Sequence, residues 1–325
     1  MQFPVVKNNA FQLFSSTKKE PFFQQLSVRL RVDTMFLQQL INGIALGSTY
    51  ALIALGYTMV YGIISLINFA HGEIFMVGAF VGLLMVGYFK LNLFLAMTCA
   101  MTFCMVMGVV IEYIAYRPLR KSSRLSALIS AIGVSIFLSS LAMMVFGANA
   151  KGFPDSAFHS HQIHIGDADI STLQLLIIGV SALLMLSLEF IVQKTKIGKA
   201  MRATSEDYNT AALMGINVNF VISFTFALGS ALAAAGGVLV GVLFNSVSFN
   251  MGLMAGLKAF AAAVLGGIGS IPGAMLGGLL LGVAEVFGVA VGYSSYRDAI
   301  AFAILVLVLL VRPTGLLGQK IQKKV

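Results

Sequence analysis

Long windows without a charged side chain constrain the fold of this chain more than any other feature. A helix that crosses a bilayer needs about 20 mostly apolar residues. Windows that lack Asp, Glu, Lys and Arg cover residues 34–72, 74–89, 91–111, 125–150, 170–188, 208–257, 259–284 and 299–311. Hydrophobic residues make up 58% of the chain, which is more apolar surface than a soluble protein of this length can bury. The sequence therefore predicts an all-α, polytopic integral membrane protein.

Three clusters of basic residues set the expected orientation of the membrane segments. They lie at 117–124, at 194–202 and in the tail from 312 to 324, and short loops rich in Lys and Arg stay on the cytoplasmic side. Most of these side chains then serve topology and contact membrane lipid. The net charge of +9 is thereby explained, and we expect no nucleic acid as a partner.

The number of membrane segments depends on one short region. Residues 253–268 are rich in Gly and Ala and either cross the bilayer fully or form a re-entrant, broken segment, so we expect eight or nine segments. With the basic clusters inside, the segments alternate in direction along residues 37–61, 73–89, 91–116, 125–146, 172–192, 218–242, 253–268, 272–290 and 298–312.

The chain divides into an arm at 1–34, a transmembrane domain at 35–315 and a basic cytoplasmic tail at 316–325. The arm has no apolar run long enough for a signal peptide or a span, and its positive charge disagrees with an external N-terminus. Either Met35 is the true start, or the arm is disordered or interfacial.

A polar loop at 147–171 is expected on the periplasmic side. It contains three of the four histidines, His159, His161 and His164. Histidines in a polar loop without a nearby cysteine or a defined scaffold are usually solvated, so we predict no metal site.

The cytoplasmic loop 193–219 contains a polar island between two apolar blocks. Ser205 is placed to cap a short helix, and Glu206 and Asp207 add negative charge to its first turn. Gly215 is placed to end that helix. A capped helix in a basic internal loop presents a surface to the cytosol, so this loop predicts a cytosolic partner.

Polar and ionisable side chains near membrane depth are costly and are candidates for function. Asn68, His71 and Glu73 lie together at a predicted helix start, and we assign them to a translocation path. An alternative of equal weight is a polar helix junction in which Glu73 stabilises the next helix N-terminus. Lys258 and Glu285 lie in neighbouring segments and could pair or line the path, although snorkelling explains Lys258 equally well.

The sequence lacks the motifs of a catalyst. The phosphate-binding motif G-x-x-x-x-G-K-[ST] does not occur, and the glycine-rich stretch 266–273 has no lysine. No catalytic triad, zinc-protease motif or convergent carboxylate pair is found either. We therefore expect a transport subunit with no catalytic residue and no cofactor.

Five ordered blocks carry a resemblance to a known family, and the similarity runs from about residue 35 to residue 314. The chain resembles the inner-membrane permease subunits of the ATP-binding-cassette (ABC) importers for leucine, isoleucine and valine. INFAHGE alone is less specific, because permeases for urea and short amides contain similar sequences. The blocks are LGSTYALIALGYTMVYGI (46–63), INFAHGE (67–73), YRPLRKSSRLSALISAIG (116–133), the loop around Glu206 to Asn217, and AVLGGIGSIPGAMLGG (263–278).

The resemblance implies a complex in the cell inner membrane. A second permease subunit would complete the path, two ATP-binding subunits would dock on the cytoplasmic side, and a periplasmic binding protein would deliver the substrate. The loop helix at 206–214 would then be the coupling helix that fits the ATPase. Ala211 and Ala212 would allow close approach, and the coupling residues would be Ser205, Glu206, Asp207, Ala211, Ala212, Gly215, Ile216 and Asn217.

Two alternatives stay open at this stage. The same machine could carry urea, short amides or other amino acids. A stand-alone secondary transporter or channel would need ionisable groups in several spans and inverted repeats; the sequence has few such charges and no clear repeat.

Overall fold

The computed structural model describes residues 22–64, 66–120, 122–154, 161–165, 168–292 and 294–318. Helices dominate these residues, and a two-stranded antiparallel hairpin lies in the loop predicted at 147–171. The elements in chain order are α1 (Phe22–Ile64), α2 (His71–Gly87), α3 (Leu93–Ile111, continued by a π-helical turn at Glu112–Tyr116), α4 (Arg124–Phe146), β1 (Gln162–Ile165), β2 (Ala168–Ser171), α5 (Thr172–Lys194), α6 (Lys196–Glu206), α7 (Tyr208–Leu213), α8 (Val218–Leu243), α9 (Met251–Gly266), α10 (Ile271–Ala290) and α11 (Arg297–Val311).

The helices fit a polytopic membrane protein, but the predicted eight or nine segments are not confirmed. Among the described residues, six helices are long and apolar enough to cross a membrane: α1, α3 with its π-helical turn, α4, α5, α8 and α10. Helices α2 and α9 are also apolar but have only 17 and 16 residues.

Structural elements cross both predicted boundaries of the transmembrane domain, although the candidate membrane span within α1, Phe36–Ile64, begins next to the predicted start at 35. Helix α1 begins at Phe22 and so includes part of the predicted arm, whereas residues 1–21 lie outside the described residues. At the other end, the backbone N–H groups of Leu316 and Leu317 donate to the carbonyls of Leu265 and Gly266, each at 2.9 Å. The start of the predicted tail therefore pairs with the end of α9.

Helix α2 begins inside the helix bundle and not at its edge. The ring of His71, its first residue, packs between Gly56 of α1 and Gly229 of α8. Gly56 lies eight residues before the end of α1, and Gly229 lies eleven residues after the start of α8. At 1.5 Å per residue, these positions are about 12 and 17 Å from the nearest helix ends. After α1, the chain therefore turns back into the bundle before α2 starts.

Helix α9 begins at the same place. A Cβ atom added at Gly252 would lie 2.7 Å from the carbonyl oxygen of Gly72, and one added at Gly256 would lie 3.0 Å from the Gly72 Cα. Two shortened helices thus meet at their N-termini within the bundle. Their meeting point is called the half-helix junction below.

The helix order contains two halves that the sequence did not reveal. In each half a long helix is followed by a short helix and another long one: α1, α2 and α3, then α8, α9 and α10. The halves pack crosswise, with α1 against α10, α3 against α8, and α2 against α9. Tyr208 lies ten residues before α8 and contacts Ile63 in the last turn of α1. The end of α1 and the start of α8 therefore lie on the same side, and the halves run in opposite directions. The absence of a repeat is therefore no longer an argument against a transporter with inverted halves.

Candidate functional site

The half-helix junction places a carboxylate at two helix N-termini. Glu73 is in the first turn of α2, and a Cβ atom added at Gly252 of α9 would lie 2.5 Å from its Oε2. Helix N-termini carry partial positive charge, which stabilises a nearby anion. Ser135 of α4 donates to Oε1 at 3.2 Å, while Oε2 has no hydrogen-bond partner in the described part of the chain.

Asn68 shapes the turn that leads into α2. Its Oδ1 accepts from the backbone N–H of Ala70 at 3.1 Å and from the hydroxyl of Tyr116 at 2.8 Å. Its backbone carbonyl accepts from the N–H of His71 at 3.0 Å. Asn68 therefore connects the turn to the end of α3.

His71 is buried against aromatic and glycine residues. Its ring meets the ring of Tyr57 edge-on, with 4.8 Å between centroids. His71 Nε2 and Asn68 Nδ2, like Glu73 Oε2, have no hydrogen-bond partner among the residues described. The three predicted side chains thus lie at one buried polar junction, and their role in transport stays a prediction.

An aromatic cleft lies beside the half-helix junction. It is lined by Tyr57, Tyr61, Ile67, Phe260, Ala263 and Ile268. The ring centroid of Phe260 is 6.0 Å from that of Tyr57 and 6.4 Å from that of Phe69. The lining is almost wholly apolar, and the cleft is narrow, with a volume of about 10 Å³.

Lys258 and Glu285 form a separate cluster with two residues that the sequence analysis missed. Lys258 Nζ lies 3.1 Å from Glu285 Oε1 and 2.6 Å from Asp298 Oδ1. The guanidinium of Arg297 pairs with Glu285, and the hydroxyl of Tyr50 donates to Glu285 Oε2 at 3.1 Å. Lys258, Glu285, Arg297 and Asp298 are called the four-charge cluster below.

The four-charge cluster links helices and has balanced charges. It connects α9, α10 and the start of α11, and Tyr50 adds α1. Lys258 is buried, so snorkelling to the membrane surface does not explain it. In the sequence, Arg297 and Asp298 are adjacent at the edge of an apolar window, where charged residues also mark the boundary of a membrane segment.

The loop 193–219, predicted to be cytoplasmic, contains two short helices, and the predicted cap is wrong. Asp207 separates α6 from α7, and its Oδ1 accepts from the backbone N–H of Thr210 at 2.6 Å. Ser205 instead lies within α6, where its hydroxyl donates to the carbonyl of Arg202 at 2.7 Å. Helix α6 starts after a Thr195 cap and runs to Glu206, so it includes Ser205. Asp207 is the first residue after α6, and it caps α7.

Helix α7 ends where the sequence predicted, but the side chains that it exposes are not the predicted ones. Gly215 has a φ of +83°, the left-handed conformation that suits glycine after a helix. Ala211 is only 3% exposed, whereas Leu213 is 87% and Met214 78% exposed. Ala211 therefore packs within the chain and cannot offer close approach to a partner. Leu213 and Met214 were missed because apolar residues near a helix end suggest core.

The other predicted coupling residues differ in exposure. Glu206 and Ala212 are exposed, and Ile216 is half-buried. Asn217 caps α8, because its Oδ1 accepts from the backbone N–H of Phe220 at 3.1 Å. The loop thus joins α8 through a fixed cap.

Polar contacts attach this loop to the ends of α1 and α3. The hydroxyl of Tyr208 in α7 donates to the carbonyl of Ile63 in α1. Arg120 pairs with Glu112 at the end of α3 and donates to Asn219 Oδ1 of α8 at 2.7 Å. Burial raises the pKa of Tyr208 above its usual value, so its hydroxyl stays protonated and able to donate.

A family model matches most of the chain. The model, described as the permease component of the branched-chain amino acid transport system, covers residues 39–309. No single block accounts for this match, since it includes both halves of the helix order and the cytoplasmic loop.

Individual relatives match over nearly their whole length. The permease protein BraD of the high-affinity branched-chain amino acid transport system of Pseudomonas aeruginosa is 48% identical, over 89% of this chain and 98% of its own. The corresponding LivH of Escherichia coli K12 is 48% identical with the same two coverages. A probable LivH of Methanocaldococcus jannaschii is 27% identical over 90% of this chain and 96% of its own. Among solved structures, PsaBC from Streptococcus pneumoniae in complex with Fab aligns with a TM-score of 0.47 at 18% identity, over 86% of this chain and 92% of that one.

Proposed function

Because this chain belongs to the family of branched-chain amino acid transport permease components, we propose that it forms the membrane path of an importer for leucine, isoleucine and valine. The observation that carries this proposal is near-50% identity to bacterial permeases over 98% of their length. Members of this family are transport subunits of ABC systems and not enzymes. ATP hydrolysis therefore belongs to separate chains.

The path passes the half-helix junction and the aromatic cleft beside it. The cleft has a volume of only about 10 Å³, so it must widen before a branched aliphatic side chain can move along the apolar lining of Tyr57 and Phe260, which would offer contact without a fixed polar partner. The backbone charges of the amino acid would meet Asn68, His71 and Glu73, whose unpartnered atoms are available for transient hydrogen bonds. Weak contacts of this kind suit a path that must release its cargo.

Helix α7 is the coupling helix that docks on an ATPase subunit. The exposed Leu213 and Met214 supply apolar contacts for a groove on the partner, and Glu206 and Asp207 supply negative charge at its edge. Closure of the ATPases on ATP would move this helix and tilt the attached spans. The full complex has a second permease subunit, two ATP-binding subunits and a periplasmic binding protein, and lies in the cell inner membrane.

Uptake by the reconstituted complex tests this proposal. Proteoliposomes that contain the chain, its partner permease, the ATPases and the binding protein should accumulate labelled leucine only when ATP is supplied. Vesicles without this chain are the control for leakage and binding.

Two results would contradict the proposal. Leucine uptake by the chain alone, driven by an ion gradient, would identify a secondary transporter, which the inverted halves of the fold also allow. Uptake of labelled urea or acetamide in place of leucine would assign the same machine to a different substrate.

A further inference from the structure

The side chain of Tyr208 attaches α7 to the end of α1. Tyr208 is the first residue of α7, and its hydroxyl donates to the carbonyl of Ile63. Ile63 lies in the last turn of α1, where helix carbonyls have no partner within the helix. Tyr208 thus supplies the hydrogen bond that the helix cannot, across 145 residues of sequence.

The end of α1 leads directly into the half-helix junction. Asn68 lies five residues after Ile63, and His71 lies eight residues after it. Asn68 is held from the other side by the hydroxyl of Tyr116, at 2.8 Å. A shift of Ile63 relative to the end of α3 therefore changes the turn that positions Asn68 and His71.

The loop has a second attachment that behaves differently. Asn219, at the start of α8, accepts from Arg120, which is paired with Glu112 of α3. That contact joins α8 to α3, so it holds α3 while Tyr208 acts on α1. A movement of α7 would in this way displace α1 relative to α3, the two helices that fix the turn before α2.

We propose that Tyr208 is a positioning residue that transmits the movement of α7 to the end of α1 and so to the half-helix junction. This inference rests on the proposed function, because it needs an ATPase that moves α7. It goes beyond docking, because it assigns the transmission to one hydroxyl and one backbone carbonyl.

The variant Tyr208→Phe tests the proposal, because it removes the hydroxyl and keeps the ring. The readout is the number of leucine molecules transported per ATP hydrolysed by the full complex in proteoliposomes. A neutral hydrogen bond contributes about 1 kcal/mol net, which corresponds to about a fivefold change in an equilibrium. We therefore expect the transport-to-ATP ratio to fall about fivefold, while assembly with the ATPases and the hydrolysis rate are retained.

The matched control is Tyr88→Phe. Tyr88 follows the outer end of α2 and is highly exposed, with a ring contact to Phe89. This variant loses a tyrosine hydroxyl on the opposite side of the bundle and should keep the wild-type ratio.

The possible results separate the inference from the function on which it rests. If wild-type vesicles show no ATP-dependent leucine uptake, the proposed function fails. If they do and Tyr208→Phe keeps the wild-type ratio, Tyr208 does not transmit the movement. Equal losses of transport and hydrolysis with a lower melting temperature would show a merely structural hydrogen bond, and loss of the ATPases on purification would show a docking residue; both overturn the inference.

Discussion

Removing the charge of Glu285 should destabilise the helix bundle more than any exposed substitution. In Glu285→Gln, the buried carboxylate that faces Lys258 and Arg297 becomes a neutral amide of nearly the same shape. The four-charge cluster then changes from neutral to a net charge of +1. The two cations share one remaining carboxylate, Asp298, which contacts Lys258 at 2.6 Å.

The size of this loss of stability follows from how exposed each partner of Glu285 is. Removing one member of a buried ion pair costs about 3–5 kcal/mol, because the other charge is left uncompensated. Glu285 is 0% exposed, which argues for a large cost, but the Arg297 side chain is 34% exposed and can recover hydration. Lys258 also keeps Asp298. We therefore expect the free energy of unfolding to fall by about 3 kcal/mol, the lower end of that range.

Equilibrium unfolding in mixed micelles with a rising fraction of sodium dodecyl sulfate measures this free energy of unfolding. The matched control is Glu206→Gln, which removes the same charge from an exposed position of α6 and should change it by less than about 0.5 kcal/mol. The double variant Lys258→Gln with Glu285→Gln should cost less than the sum of the single variants, because contacting charges are coupled. A Glu285→Gln protein as stable as the wild type, or strictly additive single variants, would refute the ion-pair argument.

Two further substitutions test the half-helix junction and the docking face. Gly252→Ala should lower the free energy of unfolding by about 1–3 kcal/mol in the same assay and reduce leucine uptake, because its Cβ would lie 2.7 Å from the Gly72 carbonyl oxygen. The control, Gly133→Ala in α4, adds a Cβ with no atom within 4 Å and should change neither stability nor uptake. Equal effects of the two variants would contradict the close contact at Gly252. Leu213→Asp should abolish co-purification with the ATPases while the chain still inserts, because it places a charge in an apolar contact, whereas retained co-purification would show that α7 docks without Leu213.

The long helices were predictable because charged residues mark the edges of membrane segments. The predicted segments 218–242 and 272–290 differ by at most one residue per end from α8 and α10. Hydropathy did not identify α2 as a shortened helix, because a half-helix packed within protein is as apolar as a full span. The depth at which α2 begins in the bundle depends on the turn that precedes it. The polar motif in that turn indicated that a helix starts there, but it did not indicate how deep in the bundle the start lies.

The cytoplasmic loop shows a different limit. Ser205 and Asp207 are both good capping residues, so local preference could not decide between them. The decision came from α6, whose Thr195 cap lies ten residues before Ser205. The exposure of individual side chains could not be predicted from the sequence either, because only tertiary packing distinguishes the buried Ala211 from the exposed Leu213.

The two interpretations of Asn68, His71 and Glu73 are compatible. Asn68 has clear structural tasks, because its Oδ1 binds both the α2 turn and Tyr116. Glu73 also fits a structural junction, because it lies in the first turn of α2 and its carboxylate accepts from Ser135. One polar atom on each of the three residues has no hydrogen-bond partner among the described residues, so each can still bind water or substrate. These contacts establish a polar helix junction, and a role of its residues in the translocation path stays a prediction.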